Sequence, residues 1–188
     1  MRSAKFQASV ALELEAQKNN GGALKHLVHL FMSLRDIAPA VGILKFAHFK
    51  ISKKGKLIKT KIDGNTVLVR ARTADLNTAV NTLRFEYSFL EKMELTDLQG
   101  QIVDAGAYIG TSALALRKSF PDLPITSIEP SPANLSVLRS NTSRLENLVV
   151  FEGVLGAQSG LVPLFSRDTG EIGNSTVQNR RDSKIDET

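Results

Sequence analysis

A chain of 188 residues, 42% apolar and 23% charged, has enough hydrophobic sequence for one globular domain with an extension, and too much for wholesale disorder. It contains no cysteine, which excludes disulfides, thiolate zinc sites and cysteine nucleophiles. The net charge of +5 is uneven: residues 1–61 carry twelve Lys/Arg against three Asp/Glu, whereas residues 62–188 carry twelve against sixteen.

Met1 to Asn20 reads as a weak helix or a frayed start, closed by the break Asn19-Asn20-Gly21-Gly22. This segment lacks a signal peptide's apolar core, and no apolar run in the chain reaches the ~18 residues of a membrane span. The sequence is therefore read as cytoplasmic, with no membrane span. From Ala23 to Ala38, Leu24, Leu27, Val28, Phe31 and Leu34 fall at helical spacing. Pro39 ends or kinks that helix, and Val41 to Phe49 reads as a second, shorter one. His26, His29 and His48 all precede residue 50, so no histidine triad or metal site is expected further along.

Lys50 to Lys61 holds six lysines. Such a run fits a nucleic-acid or anionic-membrane patch, or a solvated edge. Without interleaved aromatics the solvated edge is preferred, and nucleic acid is not an expected partner. Leu57–Ile62 and Thr66–Arg70 read as strands of a hairpin turning at Asp63-Gly64. Asp75 then reads as the cap of a helix from Leu76 to about Met93.

The rhythm now changes to strand, helix, strand, helix, strand. Gln101–Asp104, Ile125–Ile128 and Leu148–Phe151 are the strands. Ile109–Phe120 and a helix capped by Ser131, with Pro132 at its first position, lie between them. That alternation implies a parallel sheet with right-handed crossovers. Leu161–Phe165 is a candidate further strand, and Gln178–Thr188 reads as a solvated tail.

Ile102-Val103-Asp104-Ala105-Gly106-Ala107-Tyr108-Ile109-Gly110 joins the first of these strands to the first helix. A ligand site at the carboxyl end of the sheet follows from that setting. A dinucleotide site wants three glycines as G-x-G-x-x-G; here Tyr108 replaces the middle glycine that makes room for pyrophosphate. Asp104 before the turn suits a cationic or hydrogen-donating ligand better than a phosphate. Glu129, 23 residues after Gly106, ends the next strand and is placed to accept from two ribose hydroxyls. S-adenosylmethionine has an ammonium, a sulfonium and no phosphate, and fits this pattern better. A P-loop is excluded, because no Gly-Lys-Ser/Thr follows.

The run from Ile102 to Ser112, then Ser127-Ile128-Glu129-Pro130-Ser131-Pro132-Ala133-Asn134, then Leu138-Arg139-Ser140-Asn141, resembles the FkbM family of S-adenosylmethionine-dependent methyltransferases. Val154-Leu155-Gly156 with Ser159-Gly160, and upstream Arg72-Thr73-Ala74-Asp75 with Glu86-Tyr87, are also similar to that family. The resemblance implies an α/β fold, a Rossmann-like class I methyltransferase sheet, of which this chain supplies the first three or four strands. With the residue pattern, this gives an N-terminal helical and β-hairpin extension ahead of the sheet, and a division into an N-terminal helical extension (1–54), a partial FkbM-like methyltransferase domain (55–177) and a polar tail (178–188). Asp104, Gly106 and Gly110, with Ala107, Tyr108 and Thr111, would shape the amino-acid end of the cofactor site. Glu129 and Pro130 would lie at the ribose, and Glu152, Gly153 or Val154 near the adenine. The family generally methylates hydroxyls of sugars or natural products, so the expected acceptor is a small molecule or glycan.

Family members continue with further strands, so the chain reads as C-terminally truncated, its activity in doubt and its catalytic base unassigned. Tyr108 is the nearest titratable group, with packing as its favoured role. The first strand would keep an open edge, and a homo-oligomer or a complementing chain could cover it. The alternative reading is thus a non-catalytic half-domain that associates through that edge.

Overall fold

The computed structural model describes residues 35, 37–90, 93, 98–157, 160, 161, 163, 165–167, 170–175 and 182–184. The helix expected before Arg35 lies outside them. The chain divides into two compact units, Met1–His48 and Phe49–Thr188. In the first, α1 (Ala38–Val41) has Pro39 in its opening turn, where its missing N–H costs nothing. Gly42, at φ +87°, separates α1 from α2 (Ile43–Ile51), because that conformation strains any residue with a Cβ.

The second unit opens with a hairpin, β1 (Leu57–Ile62) and β2 (Asn65–Arg70), paired from Leu57↔Arg70 to Ile62↔Asn65. Asp63 and Gly64 turn it with φ of +46° and +84°, the conformation that Asp-Gly selects. β1 alternates strictly: Ile58, Thr60 and Ile62 are buried, and Leu57, Lys59 and Lys61 are exposed. α3 (Asp75–Asn81) follows and widens into a π-helical turn over Thr82–Glu86. The helix expected to reach Met93 thus changes geometry at Thr82. Asp75 does not cap α3: Ala74 holds that position, and the Asp75 carboxylate turns inward to bind Arg70.

β3 (Ile102–Ala105), β4 (Ile125–Glu129) and β5 (Leu148–Glu152) form a parallel sheet in the order β3-β4-β5. α4 (Thr111–Ser119) and α5 (Pro132–Thr142) are the crossovers. Ile102, Ile125 and Leu148 stand side by side in register, and Ala113 and Leu116 of α4 pack with them. One residue along, the Val103–Thr126–Val149 row points to the other face, where Val103 and Val149 are exposed, as is Phe151. Among the described residues no strand pairs with the outer edge of β3. Parallel sheets are ordinarily covered on both faces, so this bare row is unusual.

Ser131 precedes α5 as expected but makes no side-chain cap bond. β6 (Phe165–Arg167), β7 (Gly170–Ser175) and β8 (Asp182–Lys184) form a separate antiparallel sheet in the order β7-β6-β8. The strand expected at Leu161–Phe165 therefore begins at its last residue, and part of the expected polar tail is paired. Backbone pairing can form without the apolar alternation from which strands are read.

Candidate functional site

The glycine turn sits where β3 ends. Asp104 and Ser127 are register partners on the face that α4 covers. Ser112, in the first turn of α4, donates to Asp104 Oδ2 at 2.6 Å, and Ser127 Oγ donates to the same oxygen at 3.4 Å. Oδ1 has no partner among the described residues. Burial raises the Asp104 pKa above the ordinary carboxylate range; the two serine bonds oppose that rise and the Glu86 charge adds to it. Tyr87 packs against the Ala113–Leu116–Ile125 cluster, and its phenol pKa is raised by burial and by the Asp104 and Glu86 charges.

The two glycines differ in role. Gly106 has φ +79°, and a Cβ there would meet nothing within 4 Å. It faces open space. Gly110 has φ +81°, and its Cβ would lie 2.9 Å from Thr142 Cγ2 and 3.3 Å from Leu138 Cγ. It is the residue that lets α4 start against α5. Ala107 and Thr111 are both buried, so they shape the turn from within.

Four of the turn's amides are engaged within the protein. Gly106 and Ala107 donate to Ile128 O at 2.8 and 3.0 Å, Gly110 donates to Ala107 O at 2.8 Å, and Tyr108 donates to Glu129 Oε2 at 2.9 Å. A phosphate-binding turn aims such amides at its ligand. This turn has none of these four to offer, which counts against a pyrophosphate here.

Glu129 is buried at the end of β4. Besides Tyr108, it accepts from Ser131 N–H and Asn134 Nδ2, both at 3.0 Å on Oε1. A carboxylate has about four acceptor positions, so three bonds leave one, on Oε2. Two ribose hydroxyls were expected on Glu129, and three protein donors already occupy it.

Behind Glu129 lies a closed polar network. Arg70 Nε and Nη2 donate to the two oxygens of Asp75 at 2.8 and 3.0 Å, and Nη2 also donates to Asn134 Oδ1 at 2.8 Å. The Tyr108 hydroxyl donates to Asp75 Oδ1 at 2.6 Å, and the Arg70 guanidinium lies 5.6 Å from the Tyr108 ring centroid. Tyr108 has φ +50°, an uncommon conformation for a residue with a Cβ, and its bonds to Glu129 and Asp75 hold it there. Burial and the Asp75 carboxylate push its phenol far above the ordinary value. Tyr108 therefore braces the turn, tying it to Glu129 and Asp75. Asn141 adds a second tie, accepting from Leu68 N–H at 2.7 Å and donating to Leu68 O and Ile109 O at 3.1 and 2.8 Å.

The third strand's end lies beside Glu129, since Gly153 N–H donates to Glu129 O at 3.3 Å. Pro130 and Val154 are part-buried. Glu152 is exposed, with a 3.8 Å ion pair to Arg139 too solvated to contribute much. Asp104, Gly106, Glu129 and Gly153 thus gather at the carboxyl ends of three adjacent strands. Arg70, Asp75, Asn134 and Asn141 hold that arrangement and were not singled out as site residues from the sequence. Among the described residues no group of three or more His, Asp or Glu side chains could hold a metal ion.

A scan against protein-family models finds no match, and a search of curated proteins finds none. A search of solved structures finds the Pyrococcus abyssi tRNA (uracil-54, C5)-methyltransferase in complex with S-adenosyl-L-homocysteine, at 18% identity and a TM-score of 0.36. The match covers 53% of this chain and 24% of that chain, so the chain spans about a quarter of that protein's length. A likeness this slight assigns neither fold nor activity. The chain itself forms an α/β unit with a parallel three-stranded sheet and an acid-flanked glycine turn at its carboxyl end.

Proposed function

We propose that the crevice at the carboxyl ends of β3, β4 and β5 binds S-adenosylmethionine, and that the chain is a methyltransferase-type protein of the FkbM kind directed at a sugar or natural-product hydroxyl. The observation that carries this reading is the pairing of Asp104, with one carboxylate oxygen unengaged, and Glu129, with one acceptor position left, on either side of a turn in which four amides are already bonded. Such a site offers carboxylate acceptors, with four of the turn's donors already taken. It suits a ligand with an ammonium group and hydroxyls, and it suits a pyrophosphate poorly.

In this reading Asp104 Oδ1 takes the ammonium group at the amino-acid end, beside the open space at Gly106. Glu129 Oε2 takes one ribose hydroxyl. Gly153 and Val154 border the adenine. When bound, the cofactor supplies a methyl group on a sulfonium; the chain's own contribution is to hold and orient it. Equilibrium dialysis with labelled S-adenosylmethionine tests the assignment. Asp104→Asn and Glu129→Gln should each weaken binding about tenfold or more, since each removes a charged acceptor. Wild-type binding that neither substitution alters would move the site elsewhere.

The uncovered sheet face favours a second reading, a half-domain that associates through the open edge of β3. On that face Val103 of β3 and Val149 and Phe151 of β5 are exposed. Light scattering that shows a monomer across the accessible concentration range would remove this reading.

A further inference from the structure

We propose that the exposed face of the β1–β2 hairpin, with the turn before it, docks on an anionic lipid bilayer. Residues 50–61 hold six lysines and no acid. Lys53, Lys54, Lys56, Lys59 and Lys61 are all exposed, and none has an ion-pair partner among the described residues. The alternation of β1 sets Leu57, Lys59 and Lys61 in one row on the solvent side, successive side chains about 7 Å apart. The turn ahead of β1 is tied down, with Lys56 N–H on Lys53 O at 3.1 Å and Gly55 N–H on Ala71 O at 2.9 Å. Lys53, Lys54 and Lys56 thus extend the row from a fixed backbone, and the exposed Arg72 follows Ala71.

Edge protection accounts for Lys59 and Lys61. It does not account for Ile51, 81% exposed, or Leu57, 50% exposed, standing among the lysines. That mixture also distinguishes two polyanions. A polynucleotide groove stacks bases on aromatic rings, and the one aromatic residue in 49–61 is Phe49, which is buried. A bilayer interface takes ammonium groups at headgroup level and inserts aliphatic side chains beneath them. Lysine stems lie along such a boundary readily. The surface shares no residue with the Asp104–Glu129 crevice, so it stands or falls separately from cofactor binding.

Co-sedimentation of the full chain with vesicles tests it. The chain should partition onto phosphatidylcholine–phosphatidylserine vesicles and not onto phosphatidylcholine alone, and salt should weaken the binding. The triple variant Lys53→Glu/Lys54→Glu/Lys56→Glu should lose about a hundredfold or more in partitioning. A second measurement uses the absence of native cysteine. A polarity-sensitive dye on Ile51→Cys should shift to the blue on the mixed vesicles, whereas the same dye on Asn77→Cys, exposed on α3, should not. Failure to bind the mixed vesicles at low salt, retention of binding by the triple variant, or no shift at position 51 would each overturn the proposal.

Discussion

Replacing Arg70 by Met tests the buried network most severely. The Arg70 and Asp75 side chains are 9% and 0% exposed, so their charges are shielded from water and compensated locally. The substitution removes two hydrogen bonds to Asp75 and one to Asn134. Asp75 would keep only the Arg70 backbone N–H and the Tyr108 hydroxyl as donors to its side chain. Removing one partner of a buried pair costs about 3–5 kcal/mol, mostly from the charge left behind. Urea unfolding followed by circular dichroism would measure that loss as a lower midpoint at unchanged slope. The double variant Arg70→Met/Asp75→Asn should lose markedly less than the sum of the single variants, with a coupling of roughly 2 kcal/mol or more. A loss below about 1 kcal/mol, or strict additivity, would refute the claim that the two residues act as a pair.

Other outcomes follow from the same geometry. Gly110→Ala combines a left-handed backbone with a Cβ 2.9 Å from Thr142 Cγ2, whereas Gly106→Ala has the backbone strain alone. Thermal unfolding should show Gly110→Ala losing roughly 2 kcal/mol or more and Gly106→Ala about 1. Asn141→Ala strands the Leu68 amide and two carbonyls; hydrogen exchange at Leu68 should accelerate, with a stability loss of about 1–3 kcal/mol. The Asp104 pKa is raised in the folded chain, so the folded state holds the proton that the unfolded state has already released. The contribution of Asp104 to stability therefore declines as pH rises from the ordinary carboxylate pKa through the raised one. Unfolding titrations across that window should show Asp104→Asn flattening the decline. A steeper decline in the variant would reverse the sign.

The framework of the parallel unit is legible because its signals are local. Asp63-Gly64 specifies a hairpin turn, Pro132 opens α5, and apolar runs of strand length alternate with helical spacing. Asp104 and Glu129 are visible because each follows an apolar run at a strand's carboxyl end. The bracing is not visible. Arg70 reaches Asn134 across 64 positions, Tyr108 reaches Asp75 across 33, and Asn141 reaches Leu68 across 73. No periodicity records such pairings, and Asp75 reads locally as a helix cap until the fold brings Arg70 beside it. The two glycines look alike in sequence. Only the neighbouring Leu138 and Thr142 separate the packing glycine from the one facing open space. The π-helical turn at Thr82–Glu86 is equally silent, since the apolar spacing around it fits an ordinary helix.

Calorimetric titration of the wild-type chain with S-adenosylmethionine and, in parallel, with NAD bears most directly on the central claim. A turn with four amides engaged and acids on both flanks should bind the sulfonium cofactor and leave the dinucleotide unbound. Binding of NAD, or no heat from S-adenosylmethionine up to millimolar concentration, would contradict the account.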